Sequence, residues 1–345
     1  MLFACAPASA ENLRVATFNT ELQRDGPGLL LRDIASGKDP QVLAVLQVLR
    51  DTAPDIVALQ GFDYDLTGAA LNAFADALAG SGPDYPYRFA RRPNTGMQTG
   101  LDMDGDGHLG DARDAQSFGR FSGQGGMAVL SRFPIVEADV QDFTGLLWRD
   151  FPDPLLPTTD AGPFPSEEAQ QIQRLSTTAH WLVPVEVPQF GRIELLTFHA
   201  SPPVFDGPED RNGKRNHDEI RFWGNFLDGT IGSPPGGDIV LLGDANQDPQ
   251  DGEGLKDAIN GLLGDPRLQD PTPQSPGSAE MTGDPFDTVD WSDPVPGNLR
   301  VDYVLPGAGL TVLESAVHWP LAGTAAGDAA VAASRHRLVW IDLAR

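Results

Sequence analysis

Ile239-Val240-Leu241-Leu242-Gly243-Asp244-Ala245-Asn246 is the stretch on which the fold turns. Its aliphatic run reads as a short buried-type strand, and it stops at a glycine with Asp244 and Asn246 at its end. The same form recurs along the chain. Leu13–Phe18 alternates and is followed by Asn19; Asp55–Leu59 is followed by Gln60 and Gly61; Ile193–Phe198 is followed by His199. Val301–Leu305 carries Asp302, and His336 stands just before the closing run Leu338–Leu343. Met127–Leu130 reads as a further strand. Helical spacing predicts helices over Gln41–Asp51 and Leu66–Leu78. Strands alternate with helices early and then follow one another behind Gly/Pro turns, which implies an α+β protein of two packed, mainly β layers with helices outside. Polar groups at the ends of several buried strands converge on one site. Taken singly, each is an ordinary turn or cap residue; their order lifts the set above that.

The chain has 345 residues, and its charge is 24 − 49 = −25. Such a field repels polyanions, so duplex nucleic acid is a poor partner. No apolar run is long enough to span a bilayer. Residues 1–10, MLFACAPASA, read as the remnant of a signal peptide, with Ala8-Ser9-Ala10 fitting a cleavage pattern. That implies a periplasmic or extracellular protein; a lipid anchor through Cys5 is the other reading. Residues 11–345 then form one domain, with loop insertions at about 91–125 and 145–170, where long irregular stretches rich in Gly, Asp, Gln and Pro occur. Oligomeric state leaves no mark in the sequence.

The series ATFN, DIVALQ, GMAVLSRFPI, TFH, GDAN, VDYVL and SRHRLVW resembles the endonuclease/exonuclease/phosphatase superfamily from Leu13 to Leu343. The resemblance implies a four-layer αββα sandwich of two mainly antiparallel sheets. It implies hydrolysis of a phosphodiester or monoester by activated water, with Mg²⁺ or Mn²⁺ as the ion. On the matching positions, Asp244 and Asn246 would hold the water and a phosphate oxygen. His336 would be the base or the phosphate-stabilising imidazole, oriented by Asp302. His199 would stabilise phosphoryl oxygens or assist the leaving group, and Asn19 would contact phosphate or a metal-bound water.

Two positions depart from the pattern. Gly61 stands where the family has a metal-binding Glu, and Arg335 where it has a metal-linked Asp. Three readings stay open. Metal chemistry is disabled, in which case Gly61→Glu/Arg335→Asp restores turnover. Asp63 or Asp65 supplies the missing carboxylate. Or the Arg335 guanidinium takes the ion's place and clamps phosphate itself. The rival to an enzyme is a phosphate-binding or calcium-stabilised interaction protein on the same fold. Asp102, Asp104 and Asp106, followed by Gly107 and with Asp111 or Asp114 to close, match the start of a calcium loop. Residues 201–219 follow His199 and are expected to overhang the site, with Arg211, Asn212 and Arg215 near phosphate and His217 opening a helix over 217–223.

Overall fold

The computed structural model describes residues 12–344, so the Ala8-Ser9-Ala10 cleavage pattern and Cys5 lie outside the described residues. The first sheet joins β1 (Leu13–Leu22), β2 (Ile56–Phe62), β3 (Tyr87–Phe89) and β4 (Gly126–Ser131) to two late strands, β12 (Thr311–Val317) and β13 (Val339–Ala344). Its order is β12-β13-β1-β2-β4-β3. The second sheet starts from β5 (Gln141–Asp142); the hairpin β6 (Thr158–Thr159) and β7 (Gly162–Pro163) lies apart. It continues with β8 (His180–Val187), β9 (Gly191–His199), β10 (Asp238–Asp244) and β11 (Asp302–Pro306), in the order β11-β10-β9-β8-β5. Helices α1 (Leu29–Ser36), α2 (Pro40–Thr52), α3 (Ala69–Ala79), α4 (Glu167–Ile172), α5 (Arg211–Leu227), α6 (Lys256–Leu263), α7 (Pro276–Met281) and α8 (Ala325–Ala333) complete the chain.

The central strands β1, β2, β4, β8, β9, β10 and β11 are largely buried on both faces, and their alternation sorts the side chains into layers. Leu13, Val15, Ile56, Ala58, Leu195, Val240 and Leu242 meet between the sheets. Ala16, Phe18, Val57 and Leu59 turn the other way, under α1, α2 and α3. Leu196, Phe198 and Leu241 lie under α5 and α6. The result is the αββα sandwich that the alternation and the resemblance imply.

Each sheet is mostly antiparallel but holds one parallel pair: β1 with β2, and β9 with β10. Hydrogen-bonded register puts Asn19 beside Gln60 in one pair and His199 beside Asp244 in the other. Asp302 on β11 lies next to Asp244 on its far side. The strand ends that the sequence singled out therefore lie side by side.

One helix begins earlier than its periodicity suggests. α5 starts at Arg211, not at His217, because its first turns bury polar side chains that staple loops together. Arg215 donates to the carbonyls of Leu175, Gln116, Arg174 and Ser176. Asn216 donates to those of Ser201 and Ala245. Glu219 accepts from Thr177 and Ser201 N–H groups. The 145–170 stretch is held the same way: buried Asp218 accepts from Trp148 Nε1 and Leu155 N, both at 2.7 Å. Arg215→Met removes a donor shared by four carbonyls, of which Ser176 O keeps Asn94 Nδ2, and is expected to cost about 2–4 kcal/mol. Urea denaturation checks this; a change within about 0.5 kcal/mol, the usual surface scatter, would mean that the loops do not depend on that guanidinium.

Candidate active site

A buried polar chain joins the two sheets. Asn19 Nδ2 donates to Asp244 Oδ2 at 2.8 Å, crossing from the first sheet to the second. His336 Nδ1 lies 2.9 Å from Asp302 Oδ2, and its Nε2 lies 3.5 Å from Asn19 Nδ2. Thr288 Oγ1 donates to the same Asp302 oxygen, which fixes the carboxylate. His199 Nε2 stands 3.4 Å from Asp244 Oδ2. Asn246 has a left-handed φ of 49°, which lets its own N–H donate to Asp244 Oδ1 at 2.8 Å; its amide nitrogen donates to Ala200 O. His199 Nδ1 and Asp302 Oδ1 are buried with no hydrogen-bond partner among the described residues. They are atoms with capacity left for a water or a substrate oxygen.

The electrostatics separate the two histidines. Burial alone would lower His336, but the Asp302 and Asp244 carboxylates outweigh it and hold its pKa at about 9, so the ring is an imidazolium at neutral pH. Burial dominates at His199 and lowers it, leaving a neutral ring. Asp244 is pushed up, first by burial and then by the neighbouring Asp302 charge.

The sequence pattern missed one residue of this region, Glu21. Its side chain sits at the irregular end of β1, where the register with β2 shifts between Asn19 and Leu22. Burial would raise its pKa, but the hydrogen bonds from Arg335 outweigh that and hold it below the usual range. Glu21 has a left-handed φ of 47°, so strand alternation carried no signal for it.

Other expected site residues go elsewhere. Asp63 accepts from Gly125 N and Arg24 N, tying the 91–125 stretch to the end of β2, and burial raises its pKa to about 6. Asp65 accepts from Ala69 N and Ala70 N and so starts α3. Each carboxylate is bonded to backbone, and neither joins the group of Asp244, Asp302 and His336. Arg211 donates to Met103 O and Asn212 to Val204 O, so both brace loops, and neither bonds a residue of the polar chain among the described residues. Arg215 is spent on carbonyls, as above. His217 bridges Asp218 on its own helix and Asp257 on α6.

Two groups of described residues bring three potential ligand atoms within 4.8 Å of one another: Asp244, Asp302 and His336, and Asp102, Asp104 and Asp106. Asp111 is not in the second group; it accepts from Arg113 N, while buried Asp114 closes the loop on Met103 N and Gly110 N. The first group fits Mg²⁺ poorly. Mg²⁺ demands near-octahedral oxygen donors, whereas here the third group is a ring whose positive charge already offsets one of the two carboxylate charges, with Nδ1 2.9 Å from Asp302 and 3.8 Å from Asp244. The remaining nearby carboxylate, Glu21, is occupied by Arg335.

A model of the Endonuclease/Exonuclease/phosphatase family matches residues 16–336, and the chain belongs to that family, whose members are generally metal-dependent phosphoesterases or nucleases. No curated protein matches the sequence. Among solved structures, an endonuclease/exonuclease/phosphatase from Beutenbergia cavernae shares 20% identity at a TM-score of 0.56, over 96% of this chain and 71% of that one. A family protein from Leptotrichia buccalis gives 16% and 0.52, over 96% and 100%. One from Bacteroides thetaiotaomicron gives 14% and 0.51, over 97% and 98%. At these identities the likeness establishes the fold.

Proposed function

We propose that this chain hydrolyses a phosphoester at the Asn19–Asp244–His336–Asp302 chain. The observation that carries the reading is the pairing of an imidazolium with buried Asp302 and Asp244, the latter at the end of one parallel strand pair and bonded through Asn19 to the end of the other. An oriented imidazolium and a carboxylate of raised pKa are the acid and base that an in-line displacement needs. Water attacks phosphorus and gives its proton to Asp244. The ester P–O bond breaks, and the leaving oxygen takes the proton of His336. Asp302 keeps that ring in one orientation, and Asn19 and Asn246 hold Asp244. His199, neutral beside Asp244, faces the phosphoryl oxygens. A divalent ion, where one binds, supplies charge neutralisation; calcium suits the Asp102–Asp106 carboxylates in a loop-bracing role.

The strongly acidic composition favours a small or lipid-linked phosphoester over duplex nucleic acid. The A-x-A pattern of the first ten residues supports export to the periplasm or beyond. The test is release of 4-nitrophenol from bis(4-nitrophenyl) phosphate by the full chain. No release above a His336→Gln control, with Mg²⁺, Mn²⁺ or chelator, would discard the reading.

A pH prediction follows from His336. Its pKa is raised, so its charge is fully present below the ordinary value of 6.5 and is lost as pH rises through about 9. Inhibition by diethyl phosphate, which does not titrate in this range, is expected to be flat from about pH 7 to 8 and to weaken above about pH 9. His336→Gln should flatten the curve. A wild-type curve that already falls near pH 6.5 would mean that the carboxylates do not hold the ring charged.

A further inference from the structure

Ser334 and Arg335 lie between α8 and β13, immediately before His336. Glu21 stands opposite, and its side chain is only 13% exposed. Its Oε1 accepts from Arg335 Nε at 2.9 Å and from Nη2. Its Oε2 accepts from Arg335 N at 2.8 Å and shares the Nε donor at 3.2 Å, while the Ser334 hydroxyl donates to Asn19 O. A carboxylate has about four acceptor positions, and these contacts use them. The guanidinium also lies over the Trp291 ring, its carbon 4.2 Å from the ring centre. That indole meets His336 edge-on, with ring centres 5.4 Å apart. Arg335 is thus fixed by a buried carboxylate on one side and an aromatic face on another, while its side chain stays 58% exposed.

An ordinary surface ion pair has neither a buried partner nor a stacking platform, and it contributes little. Here the arrangement immobilises a permanent cation beside the histidine. A guanidinium matches phosphate oxygens with two parallel donors and is weakly hydrated, so it tolerates the stack. Its ordering is already complete before any ligand arrives, which removes an entropic cost of binding. The Glu21 carboxylate, meanwhile, has no acceptor position left for a metal.

We propose that Arg335, oriented by Glu21 and Trp291, is a built-in cation that holds the substrate's phosphate beside His336, so that this site binds phosphoesters without a divalent ion. The inference rests on the reading of the site as a phosphoester site. It departs from the general metal use of the family because the donors here are committed.

The experiment is calorimetric titration of the full chain with inorganic phosphate, in chelator and in millimolar MgCl₂. The affinity is expected to agree within about twofold between the two conditions. Arg335→Met should weaken binding in chelator by about tenfold or more, the loss expected when charge-assisted hydrogen bonds are removed. Arg335→Lys should fall between, keeping the charge but not the fork. Arg335→Met should also gain Mg²⁺-dependent binding, because Glu21 is freed. If the wild type takes phosphate only with Mg²⁺, this inference fails while the phosphoester reading stands. If it takes phosphate in neither condition, both fail. Unchanged chelator-resistant binding in Arg335→Met would place the phosphate elsewhere and overturn the inference. Should that variant fold poorly, Trp291→Leu removes only the stack and is expected to weaken binding several-fold; full affinity there would equally overturn it.

Discussion

Replacing His336 by Gln is expected to lower kcat/KM on bis(4-nitrophenyl) phosphate by about 10³-fold, within the range for removing a positioned acid that also stabilises charge. The ring is buried between Asp302, at 2.9 Å, and Asn19, at 3.5 Å, so no water-filled space can replace it. Glutamine retains hydrogen-bonding capacity but neither the charge nor the transferable proton. The loss should fall mainly on kcat. Thermal unfolding of the variant separates this from a damaged fold, because the imidazolium also offsets charge on the buried carboxylates beside it. Asp302→Asn tests the same dyad from the other side. It keeps the shape but removes the charge that raises His336, so its pH profile should shift to lower pH while the activity drops. Activity within about tenfold of wild type in His336→Gln, well short of that range, would remove the histidine from the reaction.

Much of this site was legible in the sequence, because parallel neighbours end at the same level. A strand that stops at His199 and another that stops at Asp244 must bring those residues together once β9 and β10 pair in parallel. Asp302 follows from the antiparallel neighbour. What escaped notice has a different physical basis. The role of Glu21 depends on a register shift between β1 and β2 that no alternation reveals. The first turns of α5 were illegible as helix because their buried face is polar: Arg215, Asn216 and Glu219 satisfy loop backbone there, and hydrophobic periodicity is the wrong signal for such a face. Asp63 and Asp65 looked like spare ligands, since a one-dimensional pattern cannot say which backbone N–H groups claim a carboxylate.

The double variant Gly61→Glu/Arg335→Asp, which restores the family's residues at both positions, is expected to be less active than the starting chain and about 3–6 kcal/mol less stable. Gly61 has φ +65°, a conformation that costs an L-residue roughly 1–2 kcal/mol. A Cβ there would lie 2.5 Å from Asn19 Oδ1 and 2.9 Å from Glu21 N. The second contact is with backbone, which cannot move aside cheaply. The first is with the side chain that joins the two sheets through Asp244, itself steadied by Glu21 N donating to Asn19 Oδ1 at 3.2 Å. Any side chain at 61 therefore disturbs the residue on which the polar chain depends. The left-handed turn has a packing role too: Gln60 accepts from Thr17 between the sheets, yet Phe62, two residues on, lies under α3 against Phe74. Strict alternation would have put both on one face. The other half of the variant behaves differently. Arg335→Asp alone sets a carboxylate opposite mostly buried Glu21, a pair that repels until a divalent ion bridges it. That single variant should lose stability in chelator and recover it in millimolar Mg²⁺, whereas the double variant should recover little, because the strain at 61 remains. Chemical denaturation and bis(4-nitrophenyl) phosphate turnover, each with and without Mg²⁺, distinguish these cases. A double variant as stable as the parent, and faster with Mg²⁺, would mean that the register shift between β1 and β2 yields to a side chain and that Gly61 is a lost ligand rather than a conformational requirement.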